Sequence, residues 1–265
     1  MKNLRTTIIV TTYNNVFALR KVLESLSRQT LPPGEIIIAD DGSDETTKTL
    51  IEEFISKAKL PLRHCWQEHQ GFRRTKILNK AIALAHGEYI IFLDGDCVAA
   101  PKFISDHAAQ AERGYWVQGR RSFVKESCTE AFIPTKAMLW RLALTGKLSG
   151  WIKSLRLPLP YVMRGKQQRG ILGCNMATWR EDLVAVNGYD ESFTGWGRED
   201  SDIANRLYHL GRLRKFVYGR MLIYHLNHPI LSRNRLDDNH SRLEQTIAER
   251  RIRAVKGLDQ YLQAN

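Results

Sequence analysis

IIFLDGD, residues 90–96, carries four apolar residues straight into two carboxylates separated by one glycine. An unbroken apolar run of this length suits a strand buried on both faces, because a half-exposed strand alternates apolar with polar. The same design recurs upstream. Thr6–Val10 is a short apolar strand followed by Thr11-Thr12-Tyr13-Asn14, and Glu35–Ala39 is another, ending in Asp40-Asp41-Gly42-Ser43. Val16, Leu19, Leu23 and Leu26 keep helical spacing between them, before Pro32-Pro33-Gly34 breaks the chain. A helix to about Lys57, a strand at Leu62–Gln67 and a helix from about Arg74 to Ala85 then lead to the strand Tyr89–Leu93. This alternation predicts an α/β fold: a mostly parallel, Rossmann-like sheet flanked by helices. Ligands of such sheets bind beyond the carboxyl ends of the strands, where these acids fall.

The 265 residues suffice for one sizeable core. Forty lysines and arginines against 28 acids give a formal charge of +12, which points to a polyanionic partner: nucleic acid, an anionic membrane or a phosphorylated substrate. Four widely spaced cysteines with no CxxC pair argue against a structural zinc or a disulfide framework. No stretch approaches 18 apolar residues and no secretory leader is visible, so a cytoplasmic location is expected.

From Ala131 to Gly170 the character changes. Eight basic residues occur without one acid, interleaved with Phe132, Trp140, Trp151 and Tyr161. Strand-like Lys215–Tyr218 and Leu222–His225 follow, and the tail from about Asn239 reads as a charged helix. The expected organisation is a 1–120 half, a 121–230 half that includes the basic-aromatic segment 131–170, and a charged helical tail at 231–265.

Asp94 and Asp96 at a buried strand exit can hold a hard divalent cation with positions left open to phosphate oxygens. An aspartate-rich turn is the plain alternative. Asp40 or Asp41 can accept the imide N–H of a uracil, and Thr11 with Tyr13 can cradle the same base. GWGREDSD, residues 195–202, gathers Glu199, Asp200 and Asp202 beside a Gly-Trp-Gly turn. Acids favour a first helical turn, which explains some of that clustering.

The ordered series IIVTTYNN, IIIADDGS, GFRRTKILNKAI, IIFLDGD, GCNMA and GWGRED resembles the family 2 glycosyltransferases of GT-A fold. The last element is similar to that of chondroitin-type polymerases and β-1,4-galactosyltransferases. The resemblance implies inverting transfer of a hexose or N-acetylhexosamine from a nucleotide sugar, usually uridine diphosphate-linked, with a smaller acceptor-side region. It implies Asp200 as general base, Glu199 beside it on the acceptor or donor sugar, and Trp196 as a stacking face for the acceptor. Asp202 is then left to cap or solvate the helix. Asp96 is the implied ligand of Mn2+ or Mg2+, with His225 as partner and His228 in reserve, and Asp94 lies nearer the ribose. Gly173 lines the sugar pocket. Many relatives carry Arg-Asn where this chain has Leu78-Asn79. Asn79 is kept as a donor contact, and Arg73, Arg74 or Lys76 replaces the missing charge.

Two other classes compete. A sugar nucleotidyltransferase needs a glycine-rich basic loop after the first strand, and Thr11–Asn15 holds neither glycine nor base. A nucleic-acid binder has no use for acids at several strand exits, so no nucleic-acid partner is expected. The expected acceptor is a surface glycan such as lipopolysaccharide core, capsule or another lipid-linked oligosaccharide. The 131–170 segment and the tail suit peripheral binding to an anionic membrane.

Overall fold

The computed structural model describes residues 4–57, 60–228 and 233–262. In chain order the first half comprises β1 (Thr6–Thr12), α1 (Val16–Ser27), β2 (Glu35–Asp40), α2 (Glu45–Lys57), β3 (Leu62–Trp66), α3 (Arg74–Leu84), β4 (Tyr89–Asp94), β5 (Cys97–Ala99), α4 (Phe103–Gln110) and β6 (Tyr115–Gln118). The second comprises β7 (Arg121–Val124), α5 (Glu126–Thr129), α6 (Lys136–Leu144), β8 (Leu148–Ser149), a 3₁₀ turn (Trp151–Ser154), β9 (Tyr161–Gly165), β10 (Asn175–Trp179), α7 (Arg180–Ala185), α8 (Glu199–His209), β11 (Leu213–Tyr218), β12 (Ile223–His225), α9 (Leu236–Ala248) and α10 (Asp259–Leu262). Of the 231–265 tail, residues 231, 232 and 263–265 lie outside the described residues.

Strand residues alternate between two cores, because successive side chains leave opposite faces of a sheet. Ile8, Val10, Ile36, Ile38, Ile91 and Leu93 pack with Leu19, Val22 and Leu23 of α1. Ile9, Ile37, Ile90 and Phe92 pack on the other side with Ile77, Leu78 and Ala81 of α3. Each such side chain contributes about 1.5–3 kcal/mol by leaving water, which is why these runs tolerate no polar residue.

The main sheet has eight strands in the order β3-β2-β1-β4-β10-β6-β11-β9. β3, β2, β1 and β4 are mutually parallel, as expected. β10 then runs antiparallel between β4 and β6, β11 is parallel to β6, and β9 closes the edge antiparallel to β11. The sheet is therefore mixed but mostly parallel: β6 and β11 run in the same direction as the four N-terminal strands, and β10 and β9 run against them. Thr11 pairs with Asp94 and Thr12 with Asp40, which brings three strand exits to one end. Leu93 pairs with Asn175, so the loop ahead of β10 meets the same end. A second sheet, β5-β12-β7-β8, sets His225 opposite Cys97 and so beside Asp96.

The 131–170 segment is not one surface element. Phe132, Leu142 and Leu148 join a third core with Val98 and Tyr224, while Ile133, Trp140, Leu144 and Trp151 are exposed. The tail begins its helix at Leu236, earlier than its sequence suggests, and Ala254 and Leu258 are buried. Leu258 belongs to the core on the α3 side.

Candidate active site

Arg74 is the hub of the strand exits. Its guanidinium donates to Asp94 Oδ1 at 2.8 Å, to Asp200 Oδ1 at 3.1 Å and to Glu199 Oε1 at 3.5 Å. Of the three basic residues that the sequence offered, only this one reaches the carboxylates. Arg73 turns to Gln70 and the carbonyl of Glu68, and the Lys76 side chain enters no hydrogen bond or ion pair among the described residues. The signal was present: Arg74 stands three and four residues before Ile77 and Leu78, on the buried stripe of α3, whereas Arg73 and Lys76 fall off it. The surrounding acids drive the Arg74 pKa still higher against the effect of burial.

Glu199 and Asp200 open α8 after a strained turn. Gly195, Gly197 and Arg198 all have positive φ (72°, 108° and 75°), the left-handed region that glycine enters freely and arginine does not. That turn leaves Trp196 on a bend, 38% exposed, with the Arg233 guanidinium 5.1 Å from its ring. Glu199 is the buried member of the acid pair, its side chain 8% exposed against 24% for Asp200. Burial, reinforced by the Asp200 charge and only partly offset by Arg74, pushes the Glu199 carboxyl up to about 7. Asp200 is held from the other side by the Gly173 amide, which donates to Oδ2 at 2.9 Å.

Asp202 corrects an expectation. It neither caps nor meets solvent: it is buried, paired at 2.7 Å with a fully buried Arg206, and accepts from Thr246 of α9 at 2.8 Å. An i,i+4 acid–base pair is legible in sequence, but its burial under a distant helix is not.

Asp96 lies apart from the Arg74 hub, facing His225 Nε2 at 3.6 Å and His228 Nε2 at 3.1 Å. One ligand atom from each of the three falls within 4.8 Å of the others. Burial alone would raise Asp96, yet the hydrogen bond from His228 and the field of His225 hold it below the ordinary carboxylate value. Burial lowers the His225 pKa, favouring the neutral, metal-binding imidazole. The buried Nδ1 of His225 has no hydrogen-bond partner among the described residues. Two imidazoles and a carboxylate fit a divalent cation of the Mn2+ type better than Mg2+, which prefers an all-oxygen shell. A second group, Asp94 with the buried thiols of Cys97 and Cys174, backs onto the hub and was not foreseen.

At the first two strand exits, Thr11 Oγ1 donates to Asp94 at 3.1 Å. Tyr13 stacks on His69 with ring centroids 4.3 Å apart. Asp40 is occupied by the Ser43 amide and His64, and Asp41 by Gln67 and the Arg73 amide. Asn79 does not face the site: its amide donates to the Tyr189 carbonyl and Glu191, and its oxygen accepts from the Tyr189 amide. It is a strut between α3 and the loop before α8. Leu78 beside it is fully buried.

Comparison with known proteins bears on the family and the fold. Residues 7–183 match the glycosyl transferase family 2 model, and residues 156–229 match the model described as the N-terminal domain of galactosyltransferase. The chain is 28% identical over 220 residues to validoxylamine A glucosyltransferase of Streptomyces hygroscopicus subsp. limoneus, covering 76% of this chain and 47% of that protein. It is 25% identical over 240 residues to chondroitin synthase of Escherichia coli, covering 84% of this chain and 34% of that one. It thus spans between a third and a half of the length of these curated relatives. Among solved structures, S. aureus TarS 1-349 in complex with UDP superposes with a TM-score of 0.68 at 18% identity, over 97% of this chain and 69% of that chain, a likeness of fold. With the family model matched over most of the chain, and its strand-exit acids assembled as described, the protein belongs to glycosyl transferase family 2.

Proposed function

We infer that the protein is an inverting glycosyltransferase that moves a hexose or N-acetylhexosamine from a uridine diphosphate sugar to a hydroxyl of a surface glycan. The observation that carries this reading is the gathering of Asp94, Glu199 and Asp200 around Arg74, beside the Asp96–His225–His228 group. In this reading residues 1–120 hold the donor and 121–230 the acceptor. The Tyr13–His69 pair offers a flat face to the base, Asp41 or Asp40 takes its imide N–H, and Asp94 lies toward the ribose. The Lys76 side chain, without a partner among the described residues, is the one that would meet a diphosphate oxygen.

Asp96, His225 and His228 would hold the divalent cation, Mn2+ in preference to Mg2+. Held there, such an ion supplies positive charge against the departing diphosphate. The chain does the rest. Asp200, the more accessible acid, accepts the proton of the acceptor hydroxyl as that oxygen attacks the sugar. The Gly173 amide and Arg74 fix its two oxygens, so the acceptor meets a base already in place. Glu199, carrying a proton for part of the time near neutral pH, hydrogen-bonds a sugar hydroxyl. Trp196 gives the acceptor ring an apolar face.

Among the described residues no helix is long and apolar enough to cross a membrane. Trp140, 57% exposed, and Leu144, 83% exposed, lie on a helix within the acid-free basic segment. That combination suits peripheral contact with an anionic leaflet, at the cytoplasmic face where lipid-linked glycans would be extended.

The test is transfer itself. A panel of radiolabelled nucleotide sugars is incubated with lipid-linked acceptors, with and without chelator, and the product's anomeric configuration is read by NMR. Release of pyrophosphate with formation of a new nucleotide sugar would identify a nucleotidyltransferase instead.

A further inference from the structure

A recess of about 490 Å³ lies outside the carboxylate hub, lined by Arg120, Gly150, Trp151, Ile152 and Tyr218. None of these is acidic. The Arg120 guanidinium lies 4.8 Å from the Tyr218 ring and 5.3 Å from the Phe216 ring, and donates no hydrogen bond to any described residue. A guanidinium stacked on aromatic faces keeps its N–H edge free, and that edge matches a carboxylate or phosphate bidentately. Trp151 and Tyr218 supply flat apolar surface of the kind a sugar ring covers. A few converging polar groups in an apolar wall is the usual composition of a small-molecule site.

The recess also has the right neighbours. Arg121, the next residue, donates to Cys174 Sγ at 3.4 Å, and Gly173, beside that cysteine, holds Asp200. One step along the backbone, about 3.8 Å between Cα atoms, therefore separates the residue that lines the recess from the one that contacts the loop carrying Gly173. Ser122 Oγ ties the same strand to the Gly150 carbonyl at 3.1 Å and so holds the recess floor to β7.

We propose that this recess is a subsite for a negatively charged sugar of the acceptor, its carboxylate or phosphate on Arg120 and its ring against Trp151 and Tyr218. The proposal rests on the glycosyltransferase reading and names the chemical class of its acceptor: an acidic glycan, engaged at a residue away from the hydroxyl that reacts.

Binding, measured without turnover, tests it. A glucuronate-containing tetrasaccharide, cellotetraose bearing one 6-phosphate, and plain cellotetraose are titrated calorimetrically into the protein, with and without UDP, in about 0.15 M salt. At least one acidic probe is expected to bind tenfold or more tightly than cellotetraose. The tighter of the two acidic probes tells whether Arg120 reads carboxylate or phosphate. Arg120→Gln should bring the preference to within twofold, and Trp151→Ala should weaken all three. Lys57→Gln, which removes the same charge from the distant α2, should leave the preference intact. A preference that is absent, that survives Arg120→Gln, or that falls equally in Lys57→Gln overturns the subsite. If acidic glycans bind as expected but UDP does not, the donor reading fails and the recess stands.

Discussion

The amide of Gly173 donates to Asp200 Oδ2 at 2.9 Å, and a Cβ at position 173 would stand 2.0 Å from the other carboxylate oxygen. The loop ahead of β10 and the start of α8 thus meet at a contact only glycine permits. The atoms in the way belong to a side chain, so Gly173→Ala displaces the carboxylate and spares the fold. We expect a Tm within a few degrees of the parent and a kcat loss approaching that of Asp200→Asn. That loss should be roughly 10²–10⁴-fold, the contribution of a general base. Nucleotide affinity should change little in either variant. If Asp200→Asn abolishes nucleotide binding while bound-state turnover survives, the base is elsewhere.

Arg74 bridges three carboxylates with its single positive charge, so its removal leaves them facing one another. Arg74→Met should cost about 2–4 kcal/mol, somewhat less than breaking a fully buried pair because Asp94 and Asp200 keep some water. Arg74→Lys should recover part of the stability and little activity, since an ammonium cannot fork to three partners. Urea denaturation and steady-state kinetics read the two effects separately. Equal stability of Arg74→Met and the parent would show that the hub is not a structural charge centre.

Glu199 makes stability depend on pH in a set direction. Its folded pKa of about 7 lies above the ordinary 4.5, so the native state binds more protons than the unfolded chain across that interval. Stability should therefore fall as pH rises from about 4.5 through 7, by on the order of 3 kcal/mol for this group. Glu199→Gln should remove that slope and raise Tm at pH 8 relative to the parent. The check is the difference between the two Tm–pH curves. Parallel curves from pH 4.5 to 8 would mean that Glu199 is ionised throughout.

Metal removal should stop transfer, with Mn2+ restoring more activity than Mg2+. Asp96→Ala should lose donor affinity and turnover together, and His225→Ala should weaken Mn2+ at least tenfold by titration. Undiminished activity in chelator would refute the cation site.

Vesicle flotation examines the membrane surface. Binding to vesicles rich in anionic lipid, weak binding to neutral ones and release by high salt are expected, each engaged lysine or arginine contributing about 1 kcal/mol. Trp140→Ala with Leu144→Ser should weaken the association at least fivefold. No binding to anionic vesicles at low salt would leave the basic segment to the acceptor alone.

The N-terminal strands of the sheet were legible because they are buried on both faces, so their apolar runs and acid-terminated exits stand out. β10 was not, because its place between β4 and β6 depends on pairings distant in sequence. The order of motifs indicated Asp94, Asp96, Glu199, Asp200 and His225, all of which the fold brings to one end. It misjudged Asn79 and Asp202, whose partners Tyr189 and Thr246 lie far along the chain. The 131–170 segment hid three core side chains among exposed ones, and composition cannot separate the two.

Thr246 and Asn239, both on α9, reach back to the first turn of α8 and the loop before it: Thr246 to Asp202, and Asn239 to the carbonyls of Thr194 and Gly197 at 3.1 and 2.9 Å. The helix is thus a clasp on the Gly-Trp-Gly loop, one turn from Asp200. A chain cut at residue 235 would keep every strand exit yet free that loop and strand a buried aspartate–arginine pair. The smallest unit that keeps this loop in place therefore includes α9, and any module fused behind it should be joined beyond Leu258, where the backbone has returned to the core.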